Sequence, residues 1–259
     1  MPEGHVSHRN ALLLTDALVG HEIVRVDEGE RIAAQRMAKR LTGRTVEHVD
    51  AVGKHMLIRF DDGAVLHSHL GMVGRWRVQP ASEPLGRGYL WLALWTDTTV
   101  AAQYKGPTLR LYAPGEPVPA LRRVGRDLLA ADGSPAADVT IPLRGIPTDR
   151  LIGDVLLDQR IVSGIGNIYR SEALWDVGVN PWTPVGELTQ ETGDALARSA
   201  ARQLSEAIGT TAPSRSSARP AHSVYRRTGR PCPRCGTPIR AKRHGDDNRS
   251  IYWCPTCQP

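Results

Sequence analysis

Gln159-Arg160-Ile161-Val162-Ser163-Gly164-Ile165-Gly166-Asn167 stands between two stretches with helical periodicity, Asp149–Asp158 and Asn167–Asp176. Gly164 and Gly166 permit a tight turn through positive φ, and Asn167 suits the cap of the helix that follows. Free N–H groups and partial positive charge make a helix N-terminus a ready phosphate site, although an asparagine at that place is ordinarily only a cap. A third helical stretch covers Thr189–Ile208, so the chain beyond about residue 133 reads as helical with little strand signal.

Upstream the pattern differs. Residues 5–19 carry Val6, Asn10, Ala11, Leu14 and Leu18 at helical spacing and stop at Gly20. Strand-like runs then follow closely: His21–Val26, Arg44–Val52, His55–Phe60, Ala64–Leu70, Arg75–Val78, Tyr89–Trp95, Val100–Tyr104 and Leu109–Tyr112. Asp61-Asp62-Gly63 marks a hairpin between two of them, and Arg31–Leu41 reads as a second short helix. Many short strands at close spacing predict a sandwich or barrel.

The four cysteines all fall in the last 28 residues, as Cys232-x2-Cys235 and Cys254-x2-Cys257 separated by eighteen residues. That spacing fits a tetrahedral zinc site, each pair chelating from one knuckle, and Gly236 supplies a permissive backbone after the first. Two disulfides are the alternative, which a reducing compartment disfavours. Arg249 and Ile251-Tyr252-Trp253 between the knuckles predict a β-hairpin too small to hold itself together without the metal. Residues 209–223 are a linker by composition.

With 41% apolar residues in 259, the chain can bury a core in two or more domains. No charged leader with an apolar run and no stretch near ~18 apolar residues occurs, so a soluble, cytoplasmic protein without membrane partners is expected. The net charge of +6 is concentrated: residues 211–259 hold ten Lys/Arg against Asp246 and Asp247, while residues 1–210 hold 23 basic and 25 acidic side chains. A basic terminal segment with a metal-pinned hairpin points to a polyanion such as nucleic acid.

The run Ser163-Gly-Ile-Gly-Asn-Ile-Tyr-Arg-Ser-Glu-Ala-Leu-Trp175 closely resembles the helix–two-turn–helix signature of the formamidopyrimidine-DNA glycosylase/endonuclease VIII family. Val224-Tyr-Arg-Arg-Thr-Gly-Arg-Pro-Cys232 and Arg249-Ser-Ile-Tyr-Trp-Cys-Pro-Thr-Cys-Gln258 resemble that family's zinc finger, and Met1-Pro-Glu-Gly looks like its endonuclease VIII branch. The resemblance implies an α+β multidomain chain. Its parts would be an N-terminal catalytic β-sandwich with a leading α-helix (1–133), a helix–two-turn–helix DNA-binding domain with its linker (134–223), and a C-terminal four-cysteine zinc-finger β-hairpin (224–259). It implies a monomeric, nucleoid-associated bacterial enzyme acting on damaged double-stranded DNA, with one structural Zn2+; the sparse loop at Gly71 and Val73, a departure from the family, adds single-stranded or open DNA as an expected substrate.

By the same resemblance, Pro2 becomes the nucleophile once Met1 is removed. An α-amine has a pKa near ~7.7–8.0, so part of it is free to attack the sugar C1′ at neutral pH. Glu3 would move protons beside it, although most glutamates at such a place merely oppose the helix dipole. Lys54, in Gly53-Lys54-His55, would reach the sugar-phosphate and assist elimination. Arg249 would clamp phosphate and serve the second elimination, with Asn167 as its companion; Arg123 would be another DNA contact. Met72, in His67-Ser-His-Leu-Gly-Met-Val-Gly74, would fill the space left by a flipped nucleotide, or else pack in the core. His67 and His69 alternate along a strand, a spacing that a metal site also uses. Val6, Gly71, Val73 and Arg126 depart from the family's pattern, which bears on lesion choice and opposite-strand reading. The expected activity is a bifunctional glycosylase/lyase for oxidised bases, pyrimidines favoured. The alternatives are a purine-selective member of the family and a non-enzymatic damaged-DNA-binding protein.

Overall fold

The computed structural model describes residues 2–86, 88–209, 222–244 and 248–259. They form two compact units that divide between Arg122 and Arg123. Most of the expected linker, residues 210–221, lies outside the described residues.

The first unit begins with α1 (Gly4–Leu18), continues through β1 (Arg25–Glu28) and α2 (Met37–Leu41), and then runs through β2 (Val46–Val52), β3 (His55–Phe60), β4 (Val65–His69), β5 (Arg75–Pro80), β6 (Leu90–Trp95), β7 (Thr99–Tyr104) and β8 (Thr108–Tyr112). Two antiparallel four-stranded sheets result, in the orders β2-β3-β4-β8 and β1-β6-β7-β5. Leu14 and Leu18 of α1 share one core with Met56, Ile58 and Phe60 of the first sheet and Trp76, Leu92 and Leu94 of the second. This is the expected sandwich with a leading helix. Asp61-Asp62-Gly63 turns β3 into β4, with Gly63 at φ 80. The outer face of the first sheet, Leu57, Val65 and Tyr112, is covered by Val118 and Leu121, which explains why β3 is apolar at consecutive positions.

Two segments of this unit differ from the expected elements. His21–Val26 is not one strand. Gly20 donates to Val46 at the start of the first sheet and Ile23 to Arg44 just before it, Val24 then donates to Trp95 of the second, and β1 starts only at Arg25. The segment crosses between sheets, so its apolar pattern serves two partners. Arg31–Leu41 is not one helix either, because Arg36 takes φ 50 between a single 3-10 turn (Ala33–Gln35) and α2.

The second unit contains β9 (Arg126–Asp127), α3 (Ile152–Val155), β10 (Val162–Ser163), α4 (Asn167–Val177), α5 (Gln190–Gly209), and the hairpin β11 (Arg240–His244) and β12 (Arg249–Trp253). Leu174 of α4 and Leu196, Ala200 and Leu204 of α5 share a core with Val155, Val162 and Ile251. Asp149–Asp158 gives only the single turn α3. The backbone N–H groups of Ile152 and Gly153 are bonded to the carbonyls of Thr183 and Pro181, which stops the helix from starting earlier. The parallel pair β9–β10 carries no periodic signal because each strand is two residues long.

Candidate active site and nucleic-acid surface

Pro2 and Glu3 precede α1, which packs against β2 and β3. Glu3 is extended (φ −117, ψ −176) and its side chain makes no capping hydrogen bond to the helix, yet it is 0% exposed. A carboxylate that merely opposed a helix dipole would sit in water. A buried one is costly unless it is given partners, so its retention next to Pro2 in the chain has to be accounted for by chemistry or by local structure.

Lys54 sits with Gly53 (φ 58) in the two-residue turn that joins β2 to β3, closed by the pairing of Val52 with His55. A positive φ at the first turn position favours glycine. Behind the turn, His55 and His69 are cross-strand partners, and His55 Nδ1 lies 2.9 Å from His67 Nε2. Burial, and then the neighbouring imidazoles, lower His55 and His67 to about 4, while burial and Lys54 lower His69. All three rings are therefore neutral at pH 7. Among the described residues only the four cysteines bring three or more ligand atoms together for a metal, so the alternation of His67 and His69 serves ring packing instead.

The cluster makes the stability of the first unit depend on pH. An unfolded histidine titrates near ~6.5, so the unfolded chain takes up protons before the folded one as the pH falls. The stability these rings contribute is complete above that value and is lost between about 6.5 and about 4. From pH 7 to 5 one such ring costs on the order of 2 kcal/mol. Thermal midpoints of the wild type and of His67→Phe should diverge in slope over that interval; parallel pH dependences would contradict the neutral cluster.

Met72 is 71% exposed and Val73 62%, on the turn between β4 and β5. Met72 is therefore not a core residue. Gly71 takes φ 57, and a Cβ there would meet the Pro107 ring at 2.6 Å, so the turn needs glycine. Arg123 is exposed at the start of the second unit.

In the second unit Asn167 is the first residue of α4, following Gly166, and its side chain does not cap the helix. That departs from the cap expected of it. Nδ2 donates to the Ser250 carbonyl at 2.8 Å, Oδ1 accepts from the Arg170 guanidinium, and the residue is 7% exposed. Asn167 thus joins α4 to β12 immediately beside Arg249, which is half-buried.

Two supporting residues escaped the sequence reading. Gln159 donates through Nε2 to Leu157 and Ile165 carbonyls and accepts from Gly164 N–H, so one side chain ties the glycine turn together. Glu172, buried on α4, accepts the N–H groups of Ser223, Val224 and Tyr225 at 2.8–2.9 Å. Nothing local in the sequence marks either one, because both partners are set by the tertiary fold. Glu172→Ala would leave three donors without their acceptor, at ~1–3 kcal/mol for a buried group. Amide exchange at 223–225 should accelerate markedly; unchanged protection there would exclude this anchor.

The four sulfurs of Cys232, Cys235, Cys254 and Cys257 lie within 4.8 Å of one another, with pairs at 3.9 Å and 3.4 Å, and all four are free thiols. Tetrahedral zinc at ~2.3 Å from each sulfur spaces them about 3.8 Å apart, whereas a disulfide needs ~2.05 Å. Hydrogen bonding from Thr237 draws Cys235 down to about 6, while burial and the sulfur neighbours push Cys257 up to about 12. Four thiolates cannot coexist this closely without a cation, and the donor set fits zinc. Trp175 Nε1 donates to Cys232 Sγ, and Gln258 links the Cys254 N–H to the Val179 carbonyl, fixing the cluster to the end of α4.

Three family models match in chain order. They are the formamidopyrimidine-DNA glycosylase N-terminal domain at 1–111, its H2TH domain at 142–218, and the zinc finger found in FPG and IleRS at 229–259. A probable endonuclease 8 2 of Streptomyces coelicolor is 39% identical, covering 100% of this chain and 94% of that one. The chain belongs to the formamidopyrimidine-DNA glycosylase family, DNA-repair glycosylases and abasic-site lyases. A DNA-(apurinic or apyrimidinic site) lyase Nei2 of Mycolicibacterium smegmatis is 35% identical, covering 100% of this chain and 99% of that one. The fold matches that of Lactococcus lactis Fpg in complex with DNA containing N7-benzyl-Fapy-dG, with TM-score 0.82, 25% identity and 99% of each chain covered. No helix of the described residues is long and apolar enough to cross a membrane.

Proposed function

We propose that this family member excises oxidised bases from damaged DNA, pyrimidines in preference, and then cleaves the strand from a covalent intermediate on Pro2. The observation that carries the reading is Glu3: a carboxylate wholly buried next to Pro2 in the chain and not used to cap its helix. In this scheme the Pro2 nitrogen bonds to C1′ and the base leaves with a proton that Glu3 helps to deliver. The C1′–O4′ bond then breaks as O4′ takes up a proton, opening the sugar ring and leaving an iminium ion on the secondary amine, which withdraws electrons and acidifies C2′–H. Loss of that proton expels the 3′ phosphate, and a second elimination expels the 5′ phosphate.

Lys54 would engage the sugar-phosphate from its turn and assist elimination. Asn167 and Arg249 would hold the phosphates around the lesion, Met72 would occupy the vacated stack, and Arg123 would touch the backbone. The cysteine cluster would carry one structural Zn2+ that keeps Arg249 in place. The proposed division of labour is a catalytic part (1–133), a helix–two-turn–helix part with linker (134–223) and a zinc finger (224–259), working as a monomer on the nucleoid. The likeness of Met1-Pro-Glu-Gly to the endonuclease VIII branch, and relatives named endonuclease 8, favour pyrimidines. The deciding test is competition between thymine glycol and 8-oxoguanine duplexes, and faster turnover of the purine would reverse the preference. Arg249→Ala should weaken duplex binding and lower the salt dependence by about one phosphate contact. An unaltered slope would remove Arg249 from the phosphate clamp.

A further inference from the structure

Beside the Met72 turn, the first unit carries a cavity of about 620 Å³ lined by Glu30, Arg31, Val73, Tyr89, Trp91 and Lys105. Two of its walls are aromatic rings with cations over them: the Lys105 ammonium lies 5.2 Å from the Tyr89 ring centre, and the Arg31 guanidinium 5.2 Å from that of Trp91. Tyr89 is 76% exposed, and with Val73 it places two exposed apolar side chains on one groove. A second cavity, of about 330 Å³, shares Arg31 and Trp91 and extends the channel past Pro107 to Arg110.

The backbone that presents these groups is held firmly. Lys105 takes φ 57, a left-handed conformation unusual for a side chain of its size, and Gly106 follows at φ 119. Lys105 N–H donates to the Tyr89 carbonyl at 3.1 Å, so the corner and the aromatic residue move together. The Lys105 carbonyl accepts from Gln103 Nε2 at 2.9 Å, and the fully buried Gln103 in turn accepts from Ser68 Oγ, which accepts from Trp76 Nε1. On the opposite wall, a Cβ at Gly29 would meet the Leu90 carbonyl at 1.9 Å, so only glycine lets the Glu30-Arg31 segment lie against β6. Strain of this sort persists where the surroundings enforce it, and it gathers at functional places.

An exposed aromatic ring, Tyr89, with cations beside it on a groove whose Arg31 and Lys105 outnumber its one carboxylate, Glu30, is the composition that stacks a base and tracks the phosphates of unpaired DNA, with the buried Trp91 serving as groove wall. We propose that this groove binds an unpaired nucleobase stacked on Tyr89, with Lys105 and Arg31 on the adjoining phosphates. The assignment rests on DNA being the substrate, and it adds a strand-binding site that none of Pro2, Lys54, Asn167 or Arg249 supplies.

Fluorescence anisotropy of the full chain with an undamaged single-stranded oligonucleotide, and with the same sequence fully paired, tests it without any chemistry. Tyr89→Leu should weaken single-strand binding about tenfold, the range for one base–aromatic stack, while Tyr89→Phe stays within about twofold. Lys105→Gln should reduce the single-strand salt slope by about 0.7. Tyr89 is exposed, so these changes remove no core packing. Single-strand affinity of Tyr89→Leu equal to the wild type, or an equal loss on paired DNA, overturns the groove. Borohydride trapping of the wild type on an abasic site reports the catalytic reading separately. An adduct together with an unaffected Tyr89→Leu defeats the groove alone, and no adduct with the Tyr89 effect intact defeats the catalytic reading alone.

Discussion

Pro2→Ala is expected to slow base excision sharply and to abolish most of the borohydride-trapped adduct on abasic DNA. Alanine leaves a primary amine, whose imine carries the electron-withdrawing positive charge only while protonated; the iminium formed by proline carries it permanently. A retained Met1 should be equally damaging, since the proline nitrogen would then be an amide. Glu3→Gln is the companion variant. It keeps the volume of the buried side chain but cannot donate or take up a proton, so it should lower turnover about 100- to 10,000-fold, the usual span for a positioned acid–base group. Its binding to a non-cleavable abasic analogue should stay close to wild type. Undiminished turnover in Pro2→Ala, with Met1 shown by mass spectrometry to be removed, would eliminate the covalent scheme. Loss of binding in Glu3→Gln would instead assign the buried carboxylate to the architecture of the N-terminus.

The second large effect concerns the cysteine cluster. Cys254→Ser, or prolonged chelation of the wild type, is expected to release one zinc ion per chain and to unfold the β11–β12 hairpin. Without the metal, β12 keeps Ile251 in the helical core and the Ser250 bond to Asn167, and the knuckles keep a small apolar cluster around Val224 and Ile239; apparent zinc affinities of ~10–16 kcal/mol in finger peptides show how much of such a fold the metal supplies. Arg249 lies at the first position of β12, and Asn167 bonds to the neighbouring Ser250 carbonyl. Losing the hairpin therefore removes both proposed phosphate contacts together. Duplex affinity should fall by more than Arg249→Ala alone produces, while the thermal transition of the first unit persists, because its core contains no residue of the finger. Metal content read by inductively coupled plasma spectrometry, set against anisotropy, checks this. Full affinity in a zinc-free protein would show that the finger is dispensable for DNA.

Much of this molecule is legible in short-range pattern. The leading helix, the strands β3 to β8, α4, α5 and the zinc knuckles follow from periodicity and spacing, because each repeats a local rule several times over. Signals fail where an element is shorter than its own period, as with β9 and β10, or where one segment serves two partners, as residues 20–26 do on their way between sheets. The residues of the candidate site are legible only through the family resemblance, because a proline and a glutamate at the start, a lysine after a turn glycine and an asparagine after a glycine pair each have an ordinary structural reading by themselves.

What the sequence by itself determined is the list of groups, the order of the domains and the membership of a family, since those depend on residue identity and spacing along the chain. What only tertiary structure decided is environment. Burial converted Glu3 from an ordinary helix-terminal acid into a carboxylate that demands explanation, and the exposure of Met72 decided between the two readings open for it, against core packing. Tertiary packing redirected the Asn167 amide from its own helix to the Ser250 carbonyl, neutralised three histidines behind Lys54, and joined Tyr89, Trp91, Arg31 and Lys105 into one groove. The physical reason is common to all of them. Desolvation, hydrogen-bond partnership and the proximity of charges act through space, between residues whose separation in sequence says nothing about their distance once the sheets and helices have packed.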